Sequence, residues 1–349
     1  MANSSLSSAV LMKLIALLLL CIDPTDAQVG VVFGTKTRKL PHAKEIVALC
    51  NKHNIKRMRI YEPNHEIQEA LKGSNISLIL GVPNKDIPTI ASNWSFAQLW
   101  VEKNIVSFND VNFRYIAVGN NISPLDKATE KYGPHVVPAM QSLENALTVA
   151  RFSKKVKAKV NVSTAISPDL LIPFRTPSGS VFAREVRAHI HPILDFLGKY
   201  GYPLLANLHV YLPYVKNPKN TSLDYALFTS KRAVIKDAFH DYDNLFDVLV
   251  DAMYYSVEKY GVSNVEIVVS ETGWPTRGGL EAQLKNARIY NGNLIRHVKG
   301  GSPFKPDRPV ETYVVGLFDE DLREPGYEYD KHWGIFNDKR QLKYPVVFE

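Results

Sequence analysis

Cysteine is almost absent, with only Cys21 and Cys50 among 349 residues. Cys21 falls in an N-terminal segment expected to be removed, so no intrachain disulfide is possible and the chain must rest on its packed core. Cys50 lies in the helically spaced stretch Ala43–Asn54 and reads as a buried small hydrophobe. Other absences narrow the chemistry. No G-x-G-x-x-G follows the first strand-like run, and the spacing of Gly30 and Gly34 does not supply one, which argues against a dinucleotide-binding open sheet. There is no H-E-x-x-H, and His189 and His191, two apart on a helical stretch, face different directions, so neither a metal nor another cofactor is expected. A nucleophile elbow and a phosphate loop are missing as well. The formal net charge is +7. Its lysines and arginines are scattered and carry no nucleic-acid motif, so the basic balance suits a polyanionic matrix better than a nucleic acid.

Among the features present, the N-terminus stands apart. Lys13 precedes an apolar run, Leu14–Cys21, too short to span a bilayer, and Thr25-Asp26-Ala27 offers a cleavage point. Residues 1–27 therefore read as a secretory signal, and residues 28–349 as the mature domain, exported to an extracellular matrix or, by another route, a vacuole. No membrane association is expected, and a monomer is. On an exported chain Asn75, Asn93, Asn161 and Asn220 head glycosylation sequons, of which Asn220 is the most accessible and Asn161 the least. Asn121-Ile122-Ser123 also fits, but Pro124 argues against its use.

Eight strand-like runs follow: Val29–Phe33, Arg57–Tyr61, Ser77–Val82, Phe113–Gly119, Val156–Ala165, Leu204–Tyr211, Val265–Ser270 and Thr312–Phe318. Helical periodicity is clearest in Ala43–Lys52, Ala97–Val106, Val137–Ala150, Ala183–Leu197, Leu245–Lys259 and Gln283–Val298. Regular alternation without a linker predicts one α/β domain, a (β/α)8 TIM barrel. Leu212–Asn264 exceeds a plain crossover, and a small subdomain is expected there, inserted after strand six.

The chain is organised around Val265–Gly279, VEIVVSETGWPTRGG. A β-branched run ends in one carboxylate, Glu271, and Gly273, Trp274 and Pro275 then stop the strand. A carboxylate at the C-terminal tip of a buried barrel strand is where such barrels keep their chemistry. Ser270–Pro275 resembles the signature of the plant β-1,3-glucanases, family 17 of the glycoside hydrolases, and the likeness runs from Gln28 to the C-terminus. The resemblance implies a retaining glycosidase with Glu271 as nucleophile and β-1,3-glucan, polymer or oligosaccharide, as partner, in a plant wall or defence setting.

Retaining glycosidases need a second carboxyl about 5–5.5 Å away as proton donor. The family reads Y-I-A-V-G-N-E at the end of strand four, and here Asn121 stands where that Glu would be. Asn120 matches the family Asn that binds the sugar 2-hydroxyl. An amide has nearly the acid's shape and no proton to give, so impaired hydrolysis is expected. Further departures share the resembled cleft: Phe33 for a Tyr, His209-Val210-Tyr211 for Y-P-Y, Arg323 for a Lys near the kept Glu320, and Asp330 for a Glu. Tyr211, Tyr214, Trp274 and Trp333 either stack on sugar rings or pack in the core, with Trp274 favoured for the cleft. Two functional classes follow: a hydrolase helped by another carboxyl such as Asp126 or Glu130, or a protein that binds glucan without cutting it.

Overall fold

A computed structural model describes residues 29–156, 159–172, 175–324 and 326–348. The signal expected over residues 1–27 lies outside them. Among the described residues ten strands are present: β1 (Gly30–Phe33), β2 (Arg57–Ile60), β3 (Ser77–Val82), β4 (Asn112–Asn120), β5 (Asn161–Ile166), β6 (Leu204–Asn207), β7 (Ile235–Asp237), β8 (His240–Tyr242), β9 (Ile267–Thr272) and β10 (Thr312–Val315). All but β7 and β8 close into one parallel barrel, β1 pairing with both β2 and β10, and β6 with β9. Parallel strands covered by helices are buried on both faces, which is why these runs are rich in Val, Ile and Leu. Val31, Ile79, Ile116, Val269 and Val314 are fully buried.

The N-terminal mouth of the barrel is plugged. Glu311 accepts hydrogen bonds from Arg114 Nη2 (2.7 Å), Tyr115 Oη (2.9 Å) and Tyr313 Oη (2.7 Å), and Arg57 Nη1 lies 3.7 Å away. Chemistry is thereby left to the C-terminal mouth. There three register shifts re-aim the strand ends, between Ala117 and Asn120 where β4 meets β5, between Ala206 and Asn207 where β6 meets β9, and between Thr312 and Val314 where β10 meets β9. A bulge turns a side chain out of its ordinary alternation, and here the bulged pairs hold Asn120, Asn207 and Glu271.

Several expected boundaries move. The fifth strand starts at Asn161 rather than Val156. The sixth ends at Asn207, so His209 lies in a loop and Tyr211 opens a short helix, Tyr211–Lys216. Aromatic and apolar residues in sequence read as strand, but a short apolar run does not distinguish strand from helix. The helix expected from Ala183 starts at Arg187 after a 3-10 turn. Between β6 and the helix Leu245–Tyr260 lie two short helices and the β7–β8 hairpin, in the span expected as a subdomain. The hairpin is tied down at both ends: Asp237 accepts from Ser178 N (2.6 Å), and Tyr242 Oη donates to Asp251 (2.9 Å).

Candidate active site

Glu271 is the next-to-last residue of β9 and only 2% exposed. Arg59 and His209 hold it. Arg59 Nη1 lies 3.0 Å from Oε1, and His209 Nε2 lies 3.1 Å from Oε2. Burial alone would raise this carboxyl's pKa, but the charge of Arg59, then the bond and charge of His209 and the charge of Arg323, outweigh it and hold the pKa at about 2. The group is ionised at any ordinary pH. Gly273 follows it at φ +153°, and a Cβ there would come within 2.7 Å of Val315 O, so the chain leaves β9 by a path only glycine allows without strain.

The arginine's remaining donors organise the site. Nη1 donates to Asn207 Oδ1 (2.7 Å) and Ser270 O (3.0 Å), while Nη2 donates to Asn120 Oδ1 (2.8 Å). Both Nη1 protons are thus aimed elsewhere, and Glu271 Oε1 is held by charge without a hydrogen bond of its own. Arginine only donates, so Asn207 must turn its oxygen to Arg59, where Ser270 Oγ also donates to it (2.8 Å). Its Nδ2 then faces the two adjacent asparagines and donates to Asn120 Oδ1 (2.8 Å) and Asn121 Oδ1 (2.9 Å). With its oxygen turned in, Asn121 presents Nδ2 outward. Glu271 and Asn121 therefore belong to one polar cluster at one end of the barrel, linked through Arg59 and Asn207.

This cluster leaves polar atoms unpaired. Arg59 Nε, Tyr61 Oη, His209 Nδ1 and Glu271 Oε1 are buried and without hydrogen-bond partners among the described residues. Buried polar groups are ordinarily satisfied, so the carboxylate's own free oxygen and three orphans around it are the atoms a polar ligand or water would meet. Burial, reinforced by the Glu271 charge, pushes the Tyr61 phenol up, so it stays a protonated donor. Beside Tyr61 opens a cleft of about 700 Å³, lined by Phe33, Tyr61, Asn120, Glu320 and Arg323 among others. A smaller pocket, about 320 Å³, lies on the side of Asn121.

The remaining predicted residues divide. Glu320 lines the cleft, accepts from Lys36 N (3.0 Å) and lies 3.7 Å from Arg323 Nη1. Asp330 turns to its own loop and accepts from Tyr327 N (2.8 Å). Phe33 lies beneath the cleft floor, 1% exposed. Trp274 and Tyr211, expected to line the cleft, do not: both are fully buried, with their rings packed edge to face 5.0 Å apart. Their polar ends are also engaged, Trp274 Nε1 on Glu281 O and Tyr211 Oη on Leu280 O, both at 2.9 Å. Trp333, 5% exposed, instead packs against the His209 ring. Of the substitute carboxyls, Asp126 is engaged by Ala128 N and Thr129 Oγ1 (both 3.0 Å), and Glu130 is exposed on a 3-10 turn.

Sequence reasoning missed Arg59, Tyr61 and Asn207. A signal existed in R-M-R-I: Arg57 and Arg59 are two apart on a strand and so share a face, one serving the plug at Glu311 and the other the clasp at Glu271. Asn207, an amide inside the apolar run Leu204–Leu208, was a second one.

A buried, ionised carboxylate at the C-terminal mouth of a parallel eight-stranded barrel, beside an open cleft, is the layout of a glycosidase barrel. Residues 29–348 match the model of Glycosyl hydrolases family 17, and the chain belongs to that family. It is 44% identical over 348 residues to glucan endo-1,3-beta-glucosidase A of Solanum lycopersicum, covering 98% of this chain and 100% of that one. Over 321 residues it is 43% identical to a glucan endo-1,3-beta-glucosidase of Vitis vinifera, covering 92% and 91%. Among solved structures, the beta-1,3-glucanase and allergen CJP38 of Cryptomeria japonica pollen superposes with a TM-score of 0.87 at 38% identity, covering 92% of this chain and 99% of that one.

Proposed function

We propose that the protein is an exported β-1,3-glucan-acting member of this family, with Glu271 as nucleophile and strongly impaired hydrolysis. The observation that supports this most is the polar cluster that joins Glu271, ion-paired to Arg59, to Asn121 through the hydrogen bonds of Asn207. Glu271 Oε1, ionised and free of hydrogen bonds, is the attacking oxygen. Asn120, in the grip of Arg59 and Asn207, offers a fixed amide to the sugar 2-hydroxyl. Asn121 fills the donor's place and supplies hydrogen bonds only. General acid catalysis contributes roughly 10²–10⁴ in rate, and the same group serves as base in the second half-reaction, so both steps are slowed.

The cleft supports retained glucan binding, and a purely binding role differs only in whether Glu271 still attacks. The test is laminarin digestion, read as reducing ends, for the natural protein and for Asn121→Glu. The variant should be faster by on the order of 10² or more, while laminari-oligosaccharide affinity stays similar. Natural protein as fast as the variant would overturn the reading. Export predicts a mature N-terminus at Gln28, which sequencing of the protein from its tissue would check.

A further inference from the structure

We infer that this site cleaves β-glucosides whose leaving group departs as a stabilised oxyanion, namely electron-poor phenols and carboxylic acids. Their apolar body would sit in the small pocket beside Asn121. The inference rests on the reading of Glu271 as attacking group and Asn121 as occupant of the donor's place.

Two adjacent asparagines face two different spaces. Asn120 borders the large cleft with Tyr61 and Arg323, whereas Asn121 borders the smaller pocket of about 320 Å³. The large space, lined by the unpaired Tyr61 Oη together with Asn120, Glu320 and Arg323, suits the glycone. The small one has a different character. Ile122 and Leu170, each 2% exposed, form its floor, and Leu125, 55% exposed, overhangs it. Asp126 and Asp169 stand at its solvent rim, exposed, with their carboxylates engaged by groups of their own loops. Ser123 and Ser167 add hydroxyls to the lining, so the recess is mixed, with Ile122, Leu125 and Leu170 as the apolar side against which an aromatic ring can lie.

The orientation of Asn121 completes the argument. Its Oδ1 is committed to Asn207, so Nδ2–H points outward. That group can donate a hydrogen bond to an oxygen gaining negative charge, but it keeps its proton. In the first step Glu271 Oε1 bonds to C1, and the C1–O electron pair leaves with the aglycone as phenolate or carboxylate. No proton is required. A sugar alkoxide is far too basic to depart this way, so the missing acid selects by leaving group. Water then adds at C1 and yields its proton to the released anion or to solvent, freeing Glu271. Without a base at position 121 this second step is slow, and the glycosyl-enzyme accumulates.

The experiment uses the full protein with 2,4-dinitrophenyl, 4-nitrophenyl and phenyl β-laminaribiosides, and with 1-O-benzoyl β-laminaribiose in ¹⁸O-water. First-turnover rates should fall by on the order of 10³ from dinitrophenyl to phenyl, and much less in Asn121→Glu, because only the variant can donate a proton. The benzoyl ester should yield ¹⁸O at the sugar C1 hydroxyl and none in benzoate. Leu125→Asn should raise KM for the aryl and acyl substrates several-fold. A flat leaving-group series, ¹⁸O in benzoate, or an unchanged KM would each overturn the inference. Labelling of Glu271 by a 2-deoxy-2-fluoro-β-laminaribiosyl fluoride, read by peptide mass, separates the two levels. Label on Glu271 with a flat series sinks only this inference, whereas no label sinks the nucleophile reading beneath it.

Discussion

The clasp on Glu271 makes a quantitative demand on the Arg59–Glu271 pair. A carboxyl whose pKa falls from 4.5 to about 2 on folding contributes roughly 3 kcal/mol at neutral pH, at about 1.4 kcal/mol per unit. Because the folded value is the lower one, this contribution is complete above the unfolded pKa and fades as pH drops toward the folded one. Roughly 2 kcal/mol of it should be gone by pH 3. Arg59 is the largest source of the lowering, and both partners are buried, at 1% and 2% exposure of their side chains. Removing one leaves the other stranded in a poorly solvated place. A double-mutant cycle with Arg59→Met and Glu271→Gln isolates the pair from the bonds Arg59 makes to Asn120 and Asn207. Urea denaturation followed by tryptophan fluorescence should return a coupling of about 3 kcal/mol at pH 7 and about 1 kcal/mol at pH 3. A coupling under about 0.5 kcal/mol at pH 7, or one that is equal at both pH values, would refute the assignment of Arg59 as the group that keeps Glu271 ionised.

Other consequences can be checked more briefly. Trp274→Phe should cost about 1–2 kcal/mol of stability and leave laminari-oligosaccharide affinity unchanged in calorimetry, since Trp274 is core and not cleft; a lost affinity in a stably folded variant would restore it to the binding surface. Gly34→Ala would put a Cβ 2.1 Å from Glu320 Oε1, displacing that carboxylate from Lys36 N. Weaker oligosaccharide binding is expected, and the same affinity as the natural protein would show that Glu320 is only a support. His297, bonded to Asp247 at 2.8 Å, has its pKa raised: burial opposes the shift, and the bond to Asp247 and its charge outweigh it. Its stabilisation is therefore complete below the unfolded value of 6.5 and lost as pH rises through the folded one. The stability deficit of His297→Gln should be larger at pH 5.5 than at pH 9, and a pH-independent deficit would contradict the ion pair.

How far the site could be seen in advance depends on how each residue signals. Glu271 announces itself because a carboxylate ends a β-branched run and Gly-Trp-Pro breaks it. Asn121 was visible only against a family pattern, since an asparagine after a strand is otherwise an ordinary turn residue. That residue sits at φ +50°, a left-handed conformation asparagine tolerates better than most, so its local chemistry gives no alarm. Trp274 was misplaced for the opposite reason. An aromatic next to a catalytic-looking acid invites a cleft role, yet alternation along an extended chain turns neighbours to opposite sides, and its ring entered the packing of Tyr211, Tyr214 and Tyr290.

By itself, then, the sequence determined the barrel and its acid: eight buried runs alternating with amphipathic helices admit few other topologies, because each pattern is local and each must bury an apolar face. Only the tertiary structure decided what surrounds the acid. Arg59, Asn120, Asn207 and His209 arrive from three strands and a loop far apart in sequence, and no local pattern records that they meet. It is barrel closure, with its bulged strand ends, that brings one arginine within reach of both the carboxylate and the amides, and commits the Asn121 oxygen to Asn207 while that residue borders the small pocket.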